Sequence, residues 1–200
     1  MAWTPEDLRT FLSADLHRDN LTKVVAEIER MQAGDGMLAT NHEDAPLQGD
    51  VYDGVPYVSR RGGSLAVSPR RVMLITNSCD ADESNRRAIP VELTVVPVLR
   101  LSRYRQMLTD NGVGEGVADD MIGAIKRQEK TNLLYLPQGG RIPEETVALF
   151  DAAQSMTWDQ FREIGEPQRA AVLTQRGFWL LLIKLSMHFQ RPHEGVARAA

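Results

Sequence analysis

Cys79 and Asp80 stand where an apolar run, Arg71 to Thr76, gives way to a polar stretch that lasts to Arg87. A thiol at the end of a buried strand can act as a nucleophile when a base lowers its pKa. With Asp80 or a distant histidine as helper, that chemistry is cysteine-dependent hydrolysis. The same pair also fits a plainer role, a small buried thiol followed by an aspartate that accepts loop amides. Three arginine pairs, Arg60-Arg61, Arg70-Arg71 and Arg86-Arg87, flank the apolar segments of this region. The planar guanidinium fork matches phosphate and carboxylate. Strand-end loops that converge would join these pairs with Asn77 into one anion-binding face. Tyr52, Tyr57 and Tyr104 can either stack on unpaired bases or pack across strands.

Other constellations point away from familiar chemistry. His188 and His193 are five residues apart across Pro192, whereas a helix presents zinc ligands at i and i+4. The single cysteine excludes an intramolecular disulfide framework and a paired-cysteine zinc site. Asp119-Asp120 and Glu144-Glu145 are sequence neighbours, and neighbours on a helix do not face each other. The glycines at 34 and 36 and at 112, 114 and 116 form no known phosphate loop. The reading is therefore of no metal and no cofactor.

The chain has 200 residues, is 42% hydrophobic and carries a net charge of −4. That is enough for one domain with a real core. Its longest strongly apolar run, Phe178 to Ile183, is far short of the roughly 20 residues that span a bilayer. The opening MAWTPEDLRTF is acidic and polar, unlike a secretory signal. A cytoplasmic, prokaryotic-type protein without membrane contact is expected. Charge is segregated: nine arginines and only four acids lie between Arg60 and Arg105, so the remainder is strongly acidic. Genome composition can also favour Arg over Lys, in which case these arginines are solvated strand and loop ends.

The elements that must position these residues follow from pattern. Thr4, Pro5, Glu6 and Asp7 begin a short helix that runs to about residue 14. Leu21, Val24, Val25, Ile28 and Met31 form the apolar stripe of an amphipathic helix over 20–32. Residues 33–46 read as a linker. Strands are expected at 49–58, where Pro56 implies an edge or bulge, and at 64–67, 71–76 and 91–99. A turn is expected at 59–63 and a polar loop at 77–87. The 71–76 run has the pattern of a strand buried on both faces. Helices follow at 103–109 and 117–130, strands at 133–137 and 146–151, and a short apolar segment at 170–173. Thr174 caps a last helix, 175–190, whose run FWLLLI is apolar nearly all round and hence buried.

Two resemblances emerge from these segments. GDV (49–51), RRVMLITNS (70–78) and VVPV (95–98) resemble, in order and spacing, the MazF/PemK-type toxins, over about 50 residues. The resemblance implies a small SH3-like β-barrel and RNA chemistry, with Arg70 or Arg71 in the position of the family's active arginine. The family's threonine after the proline strand has no counterpart, since Pro97 is followed by Val98, Leu99 and Arg100. Its proline after the arginine is replaced by Val72. NSCD (77–80), LYLP (134–137), TVALFD (146–151) and FQRP (189–192) resemble a group of uncharacterised prokaryotic proteins with an S-x-S-C-D-type loop. That likeness covers about 140 residues and implies fold only.

The combined expectation is an α+β protein: a small antiparallel SH3-like β-barrel with flanking helices and a buried C-terminal helix. An N-terminal helical arm, 1–34, precedes the barrel-centred domain, 47–192. The expected function is nucleic-acid binding, to RNA or single-stranded DNA, through Arg60, Arg61, Arg70, Arg71, Asn77, Arg86 and Arg87, in a toxin, defence or mobile-element setting. The alternatives are a non-enzymatic module that docks a protein through helix 20–32, and a hydrolase using Cys79 with Asp80.

Overall fold

The computed structural model describes residues 36–39, 45–61, 63–85 and 87–190. The expected arm 1–34, with its helix over 20–32, lies outside the described residues. What is described is α+β. Its strands are β1 (Leu38–Ala39), β2 (Val51–Arg61), β3 (Ser64–Leu74), β4 (Leu93–Arg100), β5 (Leu133–Leu136), β6 (Thr146–Leu149), β7 (Gln154–Met156) and β8 (Gln168–Leu173). The helices are α1 (Ser78–Ala81), α2 (Leu101–Asp110), α3 (Glu115–Lys126), α4 (Trp158–Phe161) and α5 (Gln175–Gln190). No helix among the described residues is long and apolar enough to cross a membrane.

All strand pairs are antiparallel, in the order β1-β8-β2-β3-β4-β6-β5, with β7 also paired to β4. The ladders do not close into the expected barrel: β1 and β5 end the path without meeting. Side chains alternate across the sheet, and three clusters result. On one face Met73, Val96, Leu134 and Ala148 pack against Leu180, Leu181 and Ile183 of α5. On the other, Val55, Tyr57, Val72, Leu74 and Val95 close with Met156 and Phe161. Farther along that face, Leu133, Tyr135 and Val147 meet Leu101 of α2 and Ile125 of α3. Val72 and Leu74 thus face one cluster and Met73 another, which is why the 71–76 run has no polar alternation. Thr174 caps α5 as expected, its Oγ1 accepting from Gly177 N at 3.2 Å. A Cβ on Gly177 would stand 2.5 Å from the Met37 carbonyl oxygen, so glycine lets α5 close onto the segment leading into β1.

Two glutamines stand in for missing strands. Val58 of β2 donates its N–H to Gln154 Oε1 at 3.1 Å, and Gln154 Nε2 donates back to Val58 O at 2.6 Å. At the β5 edge, Tyr135 N–H donates to Gln128 Oε1 at 3.2 Å, and Gln128 Nε2 donates to Tyr135 O at 2.8 Å. Each carboxamide offers one donor and one acceptor, as an edge residue's backbone requires. Gln128 has φ +60°. It follows α3 where Gln128 N donates to Ile125 O and Glu129 N to Ala124 O, a helix stop that usually places glycine at this position. The side chain needed at Tyr135 explains the exception. Lys184 of α5, fully buried, holds the same connection by donating from Nζ to the carbonyls of Gln128, Lys130 and Leu133 at 2.9, 2.6 and 2.8 Å. Burial pushes its ammonium down to about 7, and the three carbonyl oxygens act against that shift.

Several elements differ from the pattern reading. The segments expected as two strands at 64–67 and 71–76 are one strand, β3. The expected turn at 59–63 is instead strand up to Arg61, which pairs with Ser64, and Gly63 before it has φ +87°. Partner pairing to β2 carries the chain straight through Ser68-Pro69. Pro56 sits opposite Pro69, just past a bulge at Tyr52/Val55 and beyond the last residue that pairs with β8, in line with the edge it implied. The expected linker contributes β1, and the expected 77–87 loop opens with the one-turn α1. β7 and α4 had no pattern of their own.

Candidate nucleic-acid interface

The β2–β3 hairpin is longer than the sheet that holds it. β8 covers β2 only at Val51–Asp53, and β4 covers β3 only at Val72–Leu74. Gln154 and the bond from Tyr57 OH to Ala152 O, 2.6 Å, anchor the hairpin as far as Val58. Beyond that point no other described strand pairs with it, and it continues as a two-stranded ribbon. Its register sets Val58 opposite Val67, Ser59 opposite Ala66, Arg60 opposite Leu65 and Arg61 opposite Ser64. Leu65 is 69% exposed, Val67 61% and Val58 42%. Between Val58 and Arg70 the sequence carries three arginines and no carboxylate.

Among the described residues, the arginines of the expected face are held in different ways. Arg70 and Arg71 are consecutive on β3, so they leave opposite sides of it. Arg71 spends both ends of its fork on Asp53, at 2.7 and 2.9 Å. Arg87 is paired with Asp80. Arg100, Arg105, Arg162 and Arg169 also hold carboxylates, on Glu144, Asp119, Glu83 and Asp50. Arg70 makes no ion pair among the described residues. Arg86 lies outside them. Asn77 is committed to capping α1, its Oδ1 accepting from Cys79 N at 2.9 Å.

Cys79 is exposed, and its Sγ makes no hydrogen bond among the described residues. Its backbone is fixed by Asn77 and by Asn85 Nδ2, which donates to Cys79 O at 2.6 Å. Ser78 Oγ accepts from Gln48 N at 2.9 Å, tying this loop to the start of β2. Asp80, Asp82, Glu83 and Asp159, with Arg87 and Trp158, line a shallow groove of about 390 Å³. Carboxylates dominate it, and the Trp158 ring is covered by the Arg162 guanidinium at 4.7 Å. The Asn77–Asp80 loop and the ribbon tip lie at opposite ends of β3. Eleven residues of strand separate them, roughly 33 Å.

The tyrosines are packing residues. Tyr52 and Tyr57 are 7% and 8% exposed. Tyr52 OH receives Arg169 Nε at 3.2 Å and reaches Asp50 Oδ2 at 3.4 Å. Burial first, and the Asp50 carboxylate second, push its hydroxyl up to about 12. Burial also raises Tyr57. Asp50 is wholly buried and Arg169 nearly so, and their 3.2 Å ion pair locks β8 to the start of β2. Pattern reading missed this cluster, because Arg169 is more than a hundred residues from Asp50 and Tyr52. It also missed the ribbon residues Ser64 to Ser68, whose alternation of polar and apolar side chains over Ser64-Leu65-Ala66-Val67-Ser68 was the available signal. Comparison with known proteins found no matching family model and no matching curated protein.

Proposed function

We propose that this protein binds nucleic acid through the free half of the β2–β3 hairpin. The observation that carries the reading is the ribbon itself. Beyond Val58 it pairs with no other described strand and carries Arg60 and Arg61; Arg70 stands at its foot opposite Val55, and no carboxylate lies between Val58 and Arg70, in a chain that is otherwise acidic. A guanidinium already forked onto a carboxylate has little left for phosphate, which sets Arg71 and Arg87 apart from Arg70. The fold is proposed as a relative of the SH3-like barrel of MazF/PemK-type toxins. Support comes from the curl of β2, β3, β4 and β7 around one cluster, bridged back to β2 by the Gln154 carboxamide and the Tyr57 hydroxyl. A toxin, defence or mobile-element setting in a prokaryotic cytoplasm is part of the same proposal.

The test is fluorescence anisotropy with labelled RNA and DNA oligonucleotides between about 50 and 200 mM salt, a range over which phosphate contacts show as a loss of affinity. Three phosphate contacts predict a slope of log K against log salt of about −2 to −3, or roughly a 20- to 40-fold loss over that range. The variant Arg60→Gln/Arg61→Gln/Arg70→Gln should lose most of the affinity and the salt dependence. Absence of salt-dependent binding by the wild-type protein to any nucleic acid overturns the proposal.

A further inference from the structure

We infer that the nucleic acid taken by the ribbon is B-form duplex DNA, entered through the major groove. The inference rests on the reading above and names its substrate class. Three observations carry it. First, the stacking platform that single strands use is missing from this surface. The sequence has no aromatic residue between Tyr57 and Tyr104, and Tyr57 is buried in the core. Proteins that hold single strands without pairing rely on such rings.

Second, the dimensions match. Two strands about 4.8 Å apart with side chains on both faces make a ribbon roughly 10 Å thick. The B-DNA major groove is about 12 Å wide and 8.5 Å deep, whereas the minor groove is about 6 Å wide. The strand from Val58 to Arg61 rises roughly 10 Å above its Gln154 anchor, enough to reach the groove floor. The corresponding groove of A-form RNA is too narrow and deep to admit side chains.

Third, the ribbon has the chemistry of both parts of that groove. By register Arg60 and Arg61 are strand residues of the tip and Arg70 stands at its foot opposite Val55, so the ribbon's sequence carries the charge that phosphate walls take. Leu65 and Val67 leave the same side of β3, opposite Val58, and all three are exposed. A thymine methyl is the apolar group that a major groove displays. Charge complementarity thus selects DNA as the occupant of this exposed apolar face.

The experiment compares one sequence as DNA duplex, RNA duplex and each single strand, using the full chain and anisotropy at fixed salt. The DNA duplex is expected to bind at least tenfold tighter than the other forms. Methyl green, which occupies the major groove, should displace the protein, and netropsin, which occupies the minor groove, should not. Leu65→Ser/Val67→Ser, at exposed positions that leave the core intact, should weaken duplex binding several-fold with the salt slope unchanged. Tighter binding to single strands or to RNA, still lost in the arginine variant, overturns the duplex assignment and leaves nucleic-acid binding standing. Displacement by netropsin alone overturns the major-groove assignment. No binding to any form removes both.

Discussion

The two halves of the β2–β3 hairpin share one ladder and almost nothing else. In the inner half Val51, Val55, Val72, Met73 and Leu74 are completely buried, with clusters on both faces of the sheet. In the outer half Val58, Leu65 and Val67 are open to solvent. Backbone pairing runs through both, so hydrogen bonds do not distinguish them. A lone two-stranded ribbon is marginally stable in water. The outer half persists because it continues strands that the core already fixes. Holding and binding are therefore divided along a single pair of strands, and each half can be perturbed without the other.

The largest expected effect sits at the foot of the inner half. Arg169→Ala removes the guanidinium from buried Asp50 and should cost about 3–5 kcal/mol in urea unfolding. Arg71→Ala, whose pair with Asp53 is partly solvated, should cost no more than about 1 kcal/mol. Equal losses would erase the distinction between the two ion pairs. Next, Met73→Ala should cost about 2–5 kcal/mol by leaving a cavity under α5, while Leu65→Ala should stay within about 0.5 kcal/mol. A comparable loss at Leu65 would show that the ribbon is packed against something.

A pH series separates the same regions more finely. Tyr52 keeps its proton in the folded chain up to about 12, whereas the unfolded chain releases it near 10. The associated stability is complete below pH 10 and is lost as pH rises toward 12, by about 2 kcal/mol. Tyr52→Phe should flatten that fall. Lys184 acts in the opposite sense: its folded value is near 7 and its unfolded value near 10.5. The unfolded chain then binds more protons between those limits, and stability rises with pH across them. The smallest effect belongs to the boundary. Gln154→Ala should cost about 1 kcal/mol and speed hydrogen exchange at Val58 more than at Val72. Unchanged exchange at Val58 would mean that the carboxamide does not hold the ribbon's base.

Local pattern carried the inner half well. The unbroken apolar run at 71–76 indicated burial on both faces, and Val72 and Met73 meet different clusters. The all-round apolar FWLLLI indicated a covered helix, and Leu180, Leu181 and Ile183 are in the core. Thr174 revealed its cap because capping is local. The outer half was read as a turn and a short strand, since Ser59, Arg60, Arg61 and Pro69 resemble loop residues, and only the partner strand carries them into a ladder. β7 spans three residues, too few for any period to register. The arginines were legible by type, but not by state. Arg71 meets a carboxylate 18 positions away and Arg162 one 79 positions away, distances over which sequence holds no contact information. The Asn77–Asp80 loop is separated from the backbone of Arg60 and Arg61 for a related reason: one continuous β3 lies between them, while Arg87 stays at the loop on Asp80.

The carboxamide of Gln154 ends its cover at Val58, and this has a consequence for self-assembly. Among the described residues, the outward edge of β2 past that point has no strand beside it, and neither has β3 before Val72. Such bare edges invite strand addition by other copies of the chain. Proline at 69 has no N–H to offer a new strand, and the arginines at 60, 61 and 70 keep like-charged ribbons apart. The residues proposed to attract phosphate are thus also the ones that hold off fibrillar growth, so neutralising them exposes the molecule at its most adhesive edge.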